Sequence, residues 1–215
     1  MKKQCLLMLF VLLFLLSGCA AEGAEGLEYL VNADGKTLTV SGLGTCADRQ
    51  VVIPSKVKGK TVTTIGIRAF EDAISVQSII IPDTVVTIEK EAFLGCSSLT
   101  TLELPASVTS VGGWAFDGTP LTSMSLPTGA TEIGKGYFAG MDQLTSFIIP
   151  NDITSIGDFA FYDCHGLKTV VIPDSVTNVG SYAFKYCYDL VAISIPTELD
   201  VSEAEIPKSV MIIRR

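Results

Sequence analysis

Apolar residues recur along this chain in a figure about 23 residues long. An Ile-Pro or Leu-Pro pair ends at Pro54, Pro82, Pro105, Pro127, Pro150, Pro173 and Pro196, with spacings of 28, 23, 22, 23, 23 and 23. The residues one and three before the proline are apolar: Leu102/Leu104, Met124/Leu126, Phe147/Ile149 and Val170/Ile172. That period of two predicts a short strand with one face inward. Proline ends the strand, because it lacks an N–H and fixes φ. A second extended piece follows, as in Val108–Val111 or Ile153–Ile156, then a glycine turn at Gly66, Gly112, Gly134, Gly157 and Gly180, where Glu89 is the exception. An Ala-Phe pair closes the figure. Phenylalanine recurs at 70, 93, 116, 138, 161 and 184, preceded by Ala69, Ala92, Ala115, Ala160 and Ala183, with Tyr137 the exception.

One such unit cannot bury its apolar side alone. Repetition therefore predicts a solenoid whose coils stack at about 4.8 Å, with continuous ladders of phenylalanine and aliphatic residues. Six full coils would make a rod only about 30 Å long. The threonines after each proline (Thr109, Thr131, Thr154, Thr177) predict a polar ladder of cross-coil Thr–Thr pairs.

The ends differ from the repeat. Met1–Gly18 carries Lys2 and Lys3 and then an apolar run of eleven, Leu6 to Leu16. Such a run matches an export signal and is too short to cross a bilayer core of about 30 Å as a helix. Residues 19–26 are small, with glycines and two glutamates, and predict a flexible tether. Residues 27–50 read as a capping hairpin around Asn32-Ala33-Asp34-Gly35. Residues 51–196 form the solenoid, with an extra projecting turn at Lys56–Lys60. In 197–215 the pattern decays into an acidic segment and a last strand at Met211–Ile213, which reads as a C-terminal cap.

Two resemblances follow from these residues. Segments such as IPDSVTNVGSYAFKYCYDL (172–190) and IPNDITSIGDFAFYDCHGL (149–167) resemble the BspA-like leucine-rich repeats of bacterial surface proteins. The fold implied is a leucine-rich repeat solenoid of short parallel strands with irregular or 3₁₀ turns, about six coils of 22–23 residues, an N-terminal hairpin cap and an irregular C-terminal cap. Leu16-Ser17-Gly18-Cys19 resembles the bacterial lipobox, which implies that Cys19 is lipidated and anchors the exported chain to the cell envelope at the outer membrane or cell surface without spanning it.

Composition then narrows the chemistry. Basic residues number 15 and acidic residues 23, for a net charge of −8. A chain this acidic, with no basic run, is a poor nucleic-acid binder. Its one histidine, His165, excludes a multi-histidine metal site. No nucleophile–base constellation or phosphate loop is visible, and acids such as Asp158 and Asp163 fall on turns. No cofactor or enzymatic activity is expected. Cys96, Cys164 and Cys187 share one repeat position, where buried free thiols and a Cys164–Cys187 bridge both remain open.

Binding is better supported. The positions two before each proline (Val52, Ile80, Glu103, Ser125, Ile148, Val171, Ser194) point away from the core face, yet several are aliphatic, notably Ile80, Ile148 and Val171. A second row holds Trp114, Phe159 and Tyr182, with Tyr162, Tyr186 and Tyr188 alongside. Exposed apolar and aromatic side chains mark interaction sites, although strand propensity or rings folded over neighbouring coils would also place them there. The BspA-like resemblance implies a non-catalytic surface module that adheres to extracellular proteins, host matrix proteins or other cells. The alternatives are a structural or assembly component that contacts envelope proteins, and a glycan-binding surface subunit.

Overall fold

The computed structural model describes residues 25–215; the signal segment, Cys19 and most of the tether lie outside the described residues. Strands β1 (Glu28–Val31) and β2 (Thr37–Gly42) form an antiparallel hairpin. Its turn is held by Asp34, whose carboxylate accepts the Lys36 and Thr37 N–H groups. Next come β3 (Gln50–Val52), β4 (Lys56–Val57) and β5 (Lys60–Ile65). The five extra residues of the first repeat make the β4–β5 hairpin, which turns on Lys58 and Gly59, both at positive φ. The repeats supply β6 (Ser78–Ile80), β7 (Thr87–Ile88), β8 (Thr101–Leu102), β9 (Ser110–Val111), β10 (Glu132–Ile133), β11 (Ser155–Ile156), β12 (Thr169–Val171), β13 (Asn178–Val179) and β14 (Ala192–Ile195). The last strand is β15 (Met211–Arg214).

Neighbouring coils pair in parallel, as in Ile79↔Leu102, Ile156↔Val179 and Val170↔Ile193. Strands before the prolines form sheets β3-β6-β8 and β12-β14-β15; strands after them form β1-β2-β5-β7-β9 and β10-β11-β13. β2 pairs with β5 at one end of the stack and β15 with β14 at the other. Ile212 shares the ladder of fully buried Ile193, yet as the outermost described rung it is 45% exposed.

The third side of each coil is the irregular turn expected of it, and it carries left-handed residues where regular 3₁₀ helix would have none. Among the described residues, Ser202–Ala204 is the one 3₁₀ helix. Arg68, Glu91, Trp114, Gly136, Phe159 and Tyr182 all have φ between 55° and 60°. Their backbone N–H groups point along the stack axis; Glu91, Gly136 and Phe159 donate to Gly113, Asp158 and Ser181 of the next coil. The phenylalanine N–H groups do the same, Phe70 to Ala92, Phe93 to Ala115 and Phe161 to Ala183. These hydrogen bonds offset the cost of left-handed backbone at non-glycine positions.

The six phenylalanines are fully buried. Within each run they stack face to face, Phe70–Phe93–Phe116 at 5.4 and 5.7 Å and Phe138–Phe161–Phe184 at 4.9 and 5.3 Å. All four described cysteines are buried free thiols, so the open choice at Cys164 and Cys187 falls on the unbridged form. Cys96, Cys164 and Cys187 each donate an S–H to the preceding coil's phenylalanine carbonyl, on Phe70, Phe138 and Phe161. Burial pushes the Cys96 and Cys187 thiols up to about 12. The threonine ladder also differs from the expected Thr–Thr pairing. The Thr154 and Thr177 hydroxyls donate to the carbonyls of Thr131 and Thr154, which also accept the same residues' backbone N–H groups.

The stack is not continuous. Every ladder breaks between β9 and β10. Here Tyr137 takes the place of the small alanine. Its buried ring packs edge-on against both Phe116 and Phe138, and its hydroxyl donates to the Ser125 carbonyl at 2.7 Å. Among the described residues, the N–H groups of Trp114, Phe116, Gly118 and Gly134 make none of the inter-coil backbone bonds made by their equivalents. Glycine spacing records the same separation. A Cβ on Gly112, Gly157 or Gly180 would meet the preceding coil's backbone at 2.4, 3.0 or 2.4 Å, whereas one on Gly134 would meet nothing within 4 Å. Thr128 still joins the halves, through its N–H to the Val108 carbonyl and its hydroxyl to that of Ala106. Two segments expected as strands, around Met124 and Phe147, consequently lack ladder partners; the latter keeps one isolated bridge, Ser146↔Thr169.

Candidate functional site

The face formed by the pre-proline strands is open, apolar and indented by clefts. Alternation puts Val51, Ile79, Leu102 and Val170 inside and the residues after them outside. Ile80 is 49% exposed, Val171 58% and Ile148 88%. Register aligns Val52 with Ile80, Val171 with Ser194 and Ser194 with Ile213, so the row runs along the stack with Glu103, Ser125 and Ser194 as polar interruptions. Covering an aliphatic side chain of this kind is worth about 1.5–3 kcal/mol.

Three clefts lie on this face. One of about 610 Å³ runs between Ile148 and Val171, with Phe147, Pro173 and Asp174 in its walls. A second of about 620 Å³ shares Phe147 and Ile148 and is closed by Leu126, Pro127 and Asp152. The third, about 420 Å³, surrounds Ile80 with Asp83, Glu103 and Leu104. Arg215 folds back over the first cleft, bonding Asp174 at 2.7 Å and donating to the Ile172 carbonyl.

The aromatic row is organised differently. Trp114, Phe159 and Tyr162 are half-buried, and only Tyr182, Tyr186 and Tyr188 are exposed. Phe159 lies between Trp114 (6.0 Å) and Tyr182 (5.2 Å) and touches Tyr162, which in turn meets Tyr186. Lysines occupy the ring faces: Lys135 sits over Trp114 and Phe159, Lys185 over Tyr182 and Tyr186. Such cation–π contacts and ring pairs are internal packing across coils. Tyr188 stacks on His165, whose two ring nitrogens face the carboxylates of Asp142 and Asp163 at 3.2 and 2.9 Å. No group of three or more His, Cys, Asp or Glu among the described residues is arranged to hold a metal ion. Asp117, beside the break, has its carboxyl pushed up by burial and then by the acids around it, Asp163 first.

Sequence reasoning named the aliphatic row but missed its carboxylates. Asp83, Asp152 and Asp174 fall one or two residues after Pro82, Pro150 and Pro173, a recurrence readable in the repeat alignment. Arg215 could not be found that way, because its partner Asp174 is 41 residues distant.

The coil geometry and the repeat belong to a known class. The profile of the BspA type Leucine rich repeat region matches residues 63–191 in six copies, and the chain belongs to that family. No curated protein sequence matches it. Among solved structures it is similar to a leucine-rich repeat protein of T. pallidum, at 22% identity and a TM-score of 0.52, covering 88% of this chain and 79% of that one. It is also similar to a leucine rich cell surface protein of Faecalibacterium prausnitzii A2-165, at 27% identity and a TM-score of 0.62. That match covers 81% of this chain and 55% of the other's length.

Proposed function

We propose that this protein is an exported, non-catalytic binding module that works at the cell surface, is held to the membrane by lipid on Cys19, and presents its pre-proline strand face to extracellular or envelope proteins. The observation that carries this reading is the exposed row Ile80, Ile148 and Val171 set among open clefts. Aliphatic side chains facing water gain free energy when a partner covers them. Support for the location comes from the related Faecalibacterium prausnitzii protein, described as a leucine rich cell surface protein. The Lys2–Cys19 segment supports export and anchoring. The strand face is favoured over the aromatic row, and adhesion to proteins over glycan binding, because lysines and neighbouring rings already occupy the ring faces that a sugar would stack on.

The test is a panel of host matrix and envelope proteins offered to the wild type and to the Ile80→Ser/Ile148→Ser/Val171→Ser variant. The variant is expected to lose capture, while Trp114→Ala leaves it unchanged. Unaltered capture by the serine variant would overturn the reading. Metabolic labelling with a fatty acid tests the anchor, with Cys19→Ser expected to abolish incorporation.

A further inference from the structure

We infer that the strand face is built for a cationic, extended segment of a partner protein, one whose aliphatic and basic side chains alternate; this rests on the binding reading above. Each cleft pairs a water-facing aliphatic residue with a carboxylate. Ile80 lies with Asp83 and Glu103, Ile148 with Asp152, and Val171 with Asp174. Asp83, Glu103 and Asp152 are exposed and enter no ion pair among the described residues. Arg215 is the one basic residue lining the three clefts, and Asp174 already holds it.

Asp83, Asp152 and Asp174 stand just beyond the prolines that end the strands and border the aliphatic row on one side, while Glu103 interrupts the row itself. A partner lying on the row therefore meets apolar surface along its centre and negative charge along one edge. Complementary charge steers such a partner in and rejects an acidic one, since like charges brought together are costly. The same edge repels an anionic bilayer, so a membrane surface is not the occupant. Each cleft has room for a few side chains, and the three are spread along the stack. An extended segment can reach all three with its side chains, in the manner of peptides laid along a sheet.

The test uses the full-length chain and three fluorescein-labelled nonapeptides, capped at both ends: alternating Lys-Val, alternating Glu-Val and alternating Lys-Ser. Binding is read by fluorescence anisotropy at 50 and 500 mM salt. Three exposed ion pairs of ordinary strength correspond to a factor of about ten. The Lys-Val peptide is expected to bind at least about tenfold more tightly than either of the others, and to weaken at high salt. The Asp83→Asn/Glu103→Gln/Asp152→Asn variant, with an unchanged melting temperature, is expected to lose that preference. Equal binding of the Lys-Val and Glu-Val peptides, no binding of either, or an amide variant that behaves as wild type would overturn the inference. The binding reading would survive those results if the Ile80/Ile148/Val171 serine variant still lost its captured partner, and would fall with them if it did not.

Discussion

The stacks on either side of Tyr137 are made from the same repeat, yet they differ at their shared boundary. Within each stack, alanine before the phenylalanine lets the next coil approach until rings stack and left-handed N–H groups such as those of Arg68, Glu91, Phe159 and Tyr182 find carbonyls. At the boundary a tyrosine fills the alanine site, the rings turn edge-on, and inter-coil N–H bonds, including those of Trp114, Phe116, Gly118 and Gly134, are missing among the described residues. The difference teaches that cohesion in this solenoid depends on how closely backbones approach, and that approach is set by the smallest residues. Ile148, the most exposed aliphatic residue of the strand row, lies one coil beyond the wedge, with Ser125 as its row neighbour.

Core truncation gives the largest contrast. Phe161→Ala removes a ring stacked on both faces and is expected to cost about 3–5 kcal/mol by urea denaturation. Phe116→Ala, stacked on Phe93 alone and met edge-on by Tyr137, is expected to cost less. Equal losses would show that the break does not weaken the ladder.

Next in size is the glycine comparison. Gly180→Ala drives a methyl to within 2.4 Å of the Asp158 backbone and is expected to cost about 1–3 kcal/mol. Gly134→Ala meets nothing and is expected to change stability by less than about 0.5 kcal/mol. A Gly134→Ala loss as large as that of Gly180→Ala would remove the basis for placing the break there.

Tyr137→Phe leaves the wedge and deletes only the bond to Ser125, for a loss of about 1 kcal/mol. Tyr137→Ala restores the consensus residue. It is expected to slow amide exchange at Trp114 and Phe116 as the coils close, and unchanged exchange would mean that something other than the ring holds them apart.

The smallest effect concerns Asp117. Its carboxyl is raised in the folded state, so the folded protein holds the proton more tightly than the unfolded chain does. Stability therefore falls as pH rises from the usual carboxylate range through the raised value. Asp117→Asn is expected to flatten that slope in melting temperature against pH, and an unchanged slope would assign it to other acids.

Much of this was written in the repeat itself. Proline position, the strand alternation before it and the Ala-Phe pair are local rules that one coil obeys much as the next does. The departures were also on the page: a spacing of 22 instead of 23 between Pro105 and Pro127, Pro120 within that coil, and Tyr137 for alanine. Their consequence was not readable. A large residue at a small position can be absorbed by the core or can part the coils, and packing alone selects between them. The aromatic row was ambiguous for a related reason. Sequence places Trp114, Phe159 and Tyr182 in register, but whether those rings face solvent or each other depends on the lysines that settle over them.

Periodicity by itself determined the class of fold, the inward ladders and the aliphatic row, because each follows from side-chain direction within a single coil. Three things awaited the assembled chain: the break at Tyr137, the left-handed turns whose N–H groups bind only a neighbouring coil, and Arg215 folded over the strand face. The left-handed N–H bonds, the meeting of Tyr137 with Phe116 and the seat of Arg215 on Asp174 join residues 20 or more positions apart, and no local pattern encodes what a distant coil will place beside it.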